Sequence, residues 1–287
     1  MAWHIADKVC VVTGANSGIG KCVATELARR GARVVMVCRD LDRGAAARAE
    51  IEATTGARPE LMQCDMASLA SIRRFVDDLR ARTDRIHVLI NNAGAMFDRR
   101  GVTADGFERH FGVNHLGYFA VTTWLLDRLV AAAPARVVCV SSMGHRLARL
   151  DLDDLQCERR YNRIVAYGNS KLCNILFTYE LARRLEGTGV TANCLHPGAA
   201  ATGFGRSAGP LFAALMKLGR PVLVSAEEAA RTPLYLATSP EVDGVTGRYF
   251  VKCRPAPSSR RSYDRDLQRR LWDISERLIS PYAPAEA

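Results

Sequence analysis

Val9-Cys-Val-Val-Thr-Gly-Ala-Asn-Ser-Gly-Ile-Gly20 is the stretch from which the rest of the chain is read. Val9 to Val12 form a short apolar run rich in β-branched residues, the pattern of a buried strand. Gly14, Gly18 and Gly20 follow at once, and Ile19, Val23 and Leu27 then recur at helical spacing. Strand, glycine-rich turn and helix together aim the N–H groups of a helix start at a phosphate. The spacing is TGxxxGxG. It is neither the GxGxxG fingerprint nor a P-loop, which would end in GK[ST].

Outward from this stretch, strands and helices alternate along the whole chain. Strands are expected at 9–13, 33–38, 60–64, 86–90, 136–141, 190–195 and 247–251. Helical patterns fill 18–30, 40–54, 68–82, 107–132, 165–186 and 226–237, and an amphipathic helix is expected at 264–279 with Leu267, Leu271, Ile274 and Leu278 on one face. Such alternation predicts an α/β fold, a doubly wound sheet of seven parallel strands with helices on both faces. No repeat, linker or compositional break divides the chain, so residues 1–287 read as one domain. The Gly-, Pro- and Leu-rich segment 203–225 is expected to form a lid over a substrate.

Hydrophobic residues make up 48% of the 287 and charged residues 24%, the balance of a globular protein. The net charge of +10 comes from 40 basic and 30 acidic residues. The arginines are dispersed and no nucleic-acid motif accompanies them, so nucleic acid is not an expected partner. The nine cysteines are scattered without a C-x-x-C, as expected of structural thiols in a reducing compartment, and the cytoplasm is the expected location. His110 and His115 are poorly spaced for a shared metal, so no metal site is expected. No run reaches the ~18 apolar residues of a membrane span, and no signal peptide precedes the first strand.

Tyr167-Gly-Asn-Ser-Lys171 places a phenol and an ammonium on one helix face, four residues apart. A free tyrosine titrates near ~10 and is a poor base at neutral pH; a nearby cation favours the phenolate. Upstream, Ser141-Ser142 closes a strand, and Asn114 lies within the otherwise apolar run Phe-Gly-Val-Asn-His. Asn91-Asn-Ala-Gly94 follows the fourth strand, and Pro197-Gly198-Ala-Ala-Ala-Thr202 the sixth. With the TGxxxGxG loop, these motifs resemble the short-chain dehydrogenase/reductase family, in family order and across residues 8–251.

That resemblance implies a Rossmann-type fold and a catalytic set of Asn114, Ser142, Tyr167 and Lys171. Ser142 would position the substrate oxygen and Tyr167 would exchange its proton. Lys171 would lower the Tyr167 pKa and hold the nicotinamide ribose, while Asn114 would support a proton path. The reaction implied is hydride transfer between a nicotinamide and a carbonyl or carbinol carbon. Cofactor contacts are implied for Gly14, Asn16, Ser17, Gly18, Ile19, Gly20, Asp65, Met66, Asn92, Ala93, Gly94, Pro197, Gly198 and Thr202, besides Tyr167 and Lys171. The acid that selects NAD in the family falls at Cys38, followed by Arg39, which predicts NADP(H). Asp40 leaves NAD open should the register shift by one.

Ser142 and Tyr167 are 25 positions apart, and the intervening Leu150-Asp-Leu-Asp-Asp-Leu-Gln-Cys-Glu-Arg-Arg-Tyr161 resembles the retinol dehydrogenase-like branch. Members of that branch commonly carry an N-terminal anchor, whereas this chain runs directly into its first strand. A membrane location and retinoid specificity are therefore not carried over. Phe204, Leu211, Phe212, Leu215, Met216 and Leu218 predict either an apolar substrate pocket or a covered core or subunit contact; a homo-oligomer is possible on family grounds. The expected substrate is an apolar aldehyde, ketone or alcohol. Two alternatives are a non-catalytic NADP(H) sensor of the same fold and an interaction protein acting through its basic tail.

Overall fold

The computed structural model describes residues 3–198 and 224–284. Its sheet comprises β1 (Val9–Thr13), β2 (Arg33–Cys38), β3 (Glu60–Gln63), β4 (Val88–Asn91), β5 (Ala135–Val140), β6 (Val190–His196), β7 (Tyr249–Val251) and β8 (Arg254–Pro255). The order across the sheet is β3-β2-β1-β4-β5-β6-β7-β8. The first seven strands run parallel, as expected. An eighth, antiparallel strand adds to β7 through Phe250↔Pro255 and Val251↔Arg254. Two residues are too few to show a strand period in sequence, and a proline that cannot donate suits the outermost position.

Alternate residues of β1, β2 and β4 feed two cores. Val9, Val11, Val35, Val37 and Leu89 face one layer with α3 (Leu69–Arg80), α5 (Gly117–Trp124), α7 (Arg163–Arg184) and α9 (Arg265–Ile279). Cys10, Val12, Val34, Met36, Val88 and Ile90 face the other, with α1 (Gly18–Arg29), α2 (Leu41–Thr55) and α8 (Ala226–Thr238). Burial on both faces is why these strands read as continuous apolar runs. Side chains that accept from first-turn N–H groups start several helices: Asp40 for α2, Ser68 for α3, Asn162 for α7, Ser225 for α8 and Asp264 for α9.

The helix expected over 107–132 is broken. It consists of α4 (Arg109–Phe111), a π turn (Gly112–Leu116), α5, and α6 (Leu126–Ala131). A methyl group at Gly112 would lie 2.5 Å from Thr103 Cγ2, and one at Gly117 would lie 2.9 Å from Met66 Cε. The wide turn is thus closely packed at both ends, against Thr103 and Met66, and Asn114 sits between them. Periodicity alone does not report one extra residue in a turn.

Farther along, α9 lies across α7. Trp272 stacks on Phe177 at 5.8 Å between ring centroids and meets Phe119 edge-on at 4.8 Å. His115, wholly buried, lies 2.9 Å through Nε2 from Ser275 Oγ, and burial lowers its pKa to about 3. It is a neutral core histidine. The strand order reverses between β1 and β4, which opens a crevice at their C-terminal ends where this class of sheet binds ligands. Nearly all of the lid expected at 203–225, together with Thr202, lies outside the described residues. No described helix is long and apolar enough to cross a membrane.

Candidate active site

The crevice is floored by the loop after β1. Gly14 and Gly18 have φ of +68° and +54°, a region open to glycine. A methyl group on Gly20 would stand 2.3 Å from the Gly14 carbonyl oxygen and 2.5 Å from Asn92 Nδ2. Because α1 begins at Gly18, the N–H groups of Gly18, Ile19 and Gly20 belong to a first turn without intrahelical acceptors. The Ser17 side chain makes no capping bond, and Asn16 precedes it in the loop. A bare helix start under a cradle without side chains fits the pyrophosphate of a dinucleotide.

Sequence reasoning passed over Thr13, which ties this cradle to the loop after β4. Its Oγ1 accepts from the N–H groups of Asn92 and Ala93 at 2.9 and 3.0 Å, and its carbonyl accepts from Asn92 Nδ2 at 2.9 Å. Asp65 accepts from the Ala67 N–H at 3.0 Å, and Met66 is buried against Gly117. Both lie beyond the end of β3, at the adenine side of the crevice expected from the resemblance.

Asp40 and Arg39 separate clearly. The Asp40 carboxylate caps α2 by accepting from the Arg43 N–H at 3.0 Å, whereas the Arg39 side chain is exposed at the end of β2. The acid is engaged with its own helix, and the cation is not.

At the ends of β5 and α7 the chemical groups converge. Ser142 opens a 3-10 turn (Met143–Leu147), and its Oγ accepts from the Gly144 N–H at 3.1 Å. Gly144 packs on the Tyr167 ring: a methyl there would lie 3.1 Å from Cε1. Burial pushes the Tyr167 phenol up to about 12, opposed by a hydrogen bond from Ser142. Lys171 is buried, its Nζ donates to the Val140 carbonyl at 3.1 Å, and it stands 5.8 Å from the centroid of the Tyr167 ring. Burial lowers it to about 8. The expected lowering of Tyr167 by Lys171 is not seen: desolvation dominates, and the group that opposes it is Ser142.

Asn114, in the π turn, accepts from the Ala95 N–H and donates to the Ala95 carbonyl, both at 2.9 Å, and donates to Ser170 Oγ at 3.1 Å. A methyl on Gly94 would sit 3.2 Å from Asn114 Oδ1 and 3.4 Å from Lys171 Nζ. Asn114, Gly94 and Lys171 therefore share one junction. Gly198, with φ of +100°, follows Pro197 beyond β6.

His110, set aside as a metal ligand, packs edge-on against the Tyr167 ring at 6.2 Å. Its Nε2 accepts from the Phe97 N–H and its Nδ1 donates to the buried Glu108, both at 2.9 Å. No spacing rule in the sequence announces such a contact. Among the described residues no cluster suits a metal ion. A cavity of about 700 Å³ opens at the opposite ends of β5 and β6, lined by Trp3, Arg136, Tyr179 and Thr246 among others, and none of the catalytic candidates borders it.

Residues 8–210 match the family model described as short chain dehydrogenase. The chain is 45% identical over 277 residues to retinol dehydrogenase 12 of Mus musculus, covering 96% of this chain and 87% of that protein. An uncharacterized protein from Mycobacterium paratuberculosis superposes with a TM-score of 0.80 at 37% identity, over 99% of this chain and 97% of its own. The Pseudomonas aeruginosa RhlG/NADP active-site complex superposes with a TM-score of 0.69 at 25% identity, over 86% and 95%.

Proposed function

Because the chain belongs to the short-chain dehydrogenase family, we propose that it reduces an apolar aldehyde or ketone with NADPH through Ser142, Tyr167 and Lys171. The observation that carries this is the convergence of those three side chains on the crevice beside the glycine cradle. When bound, the dinucleotide supplies the hydride. Tyr167, protonated at neutral pH like any tyrosine and more firmly so for its burial, donates the phenolic proton to the substrate oxygen. Ser142 hydrogen-bonds that oxygen and orients it. Lys171 brings a cation beside the phenol, and Asn114 braces the 94–95 loop against α7.

NADPH is preferred over NADH because the exposed Arg39 can meet a 2′-phosphate while Asp40 is held at its own helix. The NADP bound in RhlG supports this choice. An apolar substrate is supported by exposed Met143 and Leu147 on the turn that follows Ser142 and by exposed Ile164 on the first turn of α7, which carries Tyr167, and by the name of the retinol dehydrogenase relative. The test is NADPH or NADH oxidation followed at 340 nm against retinal, medium-chain aldehydes, aromatic ketones and steroid ketones. NADPH-dependent turnover that Tyr167→Phe abolishes, with NADPH binding retained, is the expected outcome. Turnover surviving in Tyr167→Phe would remove Tyr167 from the role, and use of NADH alone would overturn the Arg39 argument.

A further inference from the structure

His145 lies within the turn that begins at Ser142 and is 1% exposed. Its Nδ1 is 2.6 Å from the Ser142 carbonyl oxygen, and its Nε2 is 3.0 Å from the backbone nitrogen of Ser259. The Ser259 N–H can only donate, so Nε2 is the bare nitrogen and Nδ1 carries the proton. The ring is thus a neutral imidazole of one tautomer, donating to Ser142 and accepting from Ser259. It also stands edge-on to Tyr249 at 5.1 Å.

Other bonds fasten the same two segments. Arg146 donates to the Pro257 carbonyl at 2.9 Å, and Arg261 donates to the Leu150 carbonyl. Beside them, Tyr179 Oη and Ser258 Oγ are 2.9 Å apart. His145 differs from these because it reaches a catalytic candidate. The Ser142 carbonyl accepts from both the backbone N–H of His145, at 3.1 Å, and its ring. The two bonds hold the Ser142 carbonyl, and with it the backbone that carries the Ser142 side chain.

We propose that His145 is a positioning residue for Ser142, latching the catalytic turn to the C-terminal segment at Ser259 so that this segment helps to aim the Ser142 hydroxyl. The proposal rests on the reading that Ser142 orients the substrate oxygen. Two substitutions divide the latch. In His145→Asn the amide nitrogen falls near the place of Nδ1 and keeps the Ser142 bond, whereas in His145→Gln the amide oxygen falls near Nε2 and keeps the Ser259 bond. Arg146→Ala removes a neighbouring bond to the tail and leaves Ser142 untouched.

The experiment uses the full chain. It measures kcat and KM with NADPH and the best carbonyl found, NADPH affinity by fluorescence, thermal stability, and hydrogen exchange of peptides covering 142–148. Both His145 variants are expected to lose about 10- to 100-fold in kcat with NADPH affinity unchanged, while Arg146→Ala keeps the parental kcat. A purely structural role would lower thermal stability and leave kcat in place. Parental kcat in both His145 variants, or an equal loss in Arg146→Ala, would overturn the proposal. Should the parent reduce no carbonyl, the functional reading fails first, and exchange then judges the latch. Faster exchange over 142–148 in the His145 variants than in Arg146→Ala supports it, and equal exchange overturns it.

Discussion

Replacing Gly168 by alanine presses on the seam between α7 and the catalytic turn. The new methyl would meet the Gly144 carbonyl oxygen at 2.7 Å and the Ala148 nitrogen at 3.3 Å. Both are backbone atoms that cannot swing aside. The first contact is more than half an ångström inside ordinary van der Waals range, so the helix and the turn must part. Gly168 directly follows Tyr167, and Gly144 packs on the Tyr167 ring, so the same seam sets how Ser142 and Tyr167 face each other. Overpacking of this kind costs roughly 1–3 kcal/mol. A sub-ångström displacement of paired reacting groups lowers kcat by about 10- to 100-fold. The glycine cradle lies between β1 and the start of α1, outside this seam, so NADPH affinity should fall less than kcat. Urea unfolding, steady-state kinetics and NADPH fluorescence titration read the three quantities separately. A variant with parental kcat and a stability loss below about 0.5 kcal/mol would refute the reasoning, because the seam would then yield without disturbing the chemistry.

Arg39→Ala should reduce the preference for NADPH over NADH by about tenfold, the value of one charge-assisted hydrogen bond at an exposed site, as the ratio of kcat/KM values. Asp40→Ala should leave that ratio unchanged and cost about 1 kcal/mol of stability through the lost cap, measured in urea. Burial lowers Lys171 from 10.5 to about 8, so between those values the unfolded chain binds more protons and stability rises with pH. The parent should therefore gain stability relative to Lys171→Met from pH 8 to pH 10.5 in urea unfolding at stepped pH, and a flat difference would contradict the assignment. Trp272→Ala should cost roughly 3–5 kcal/mol, since it unseats α9 from Phe119 and Phe177; a smaller loss would mean that α9 is held elsewhere.

Most of the sheet was legible because β1, β2, β4, β5 and β6 are buried on both faces, which writes them as nearly unbroken apolar runs. The TGxxxGxG loop and the Tyr167–Lys171 pair were legible because each depends on local spacing that a helix or turn converts directly into geometry. What stayed hidden depends on segments far apart in the chain. Thr13 becomes a tie only when β4 lies beside β1, and His110 and His145 become partners of Tyr167 and Ser142 only after Phe97 and Ser259 arrive. That Asp40 caps α2 while Arg39 stays exposed is a matter of side-chain direction that register alone leaves open. The shielding of Tyr167 was equally invisible: the sequence shows a neighbouring cation, but the depth of burial comes from the whole fold.

The π turn around Asn114 makes this helix a measuring device one residue too long. Removing a single residue between Gly112 and Leu116 would let the backbone relax into regular α-helix, which an idealising design procedure would score as an improvement. It would also rotate Asn114 by about 100° relative to one flank, away from Ala95 and Ser170. The helix would be better formed while the 94–95 loop lost its brace beside Lys171. In this segment the pursuit of stability and the preservation of the site pull in opposite directions, so a consensus-style repair here should yield a sturdier protein that works less well.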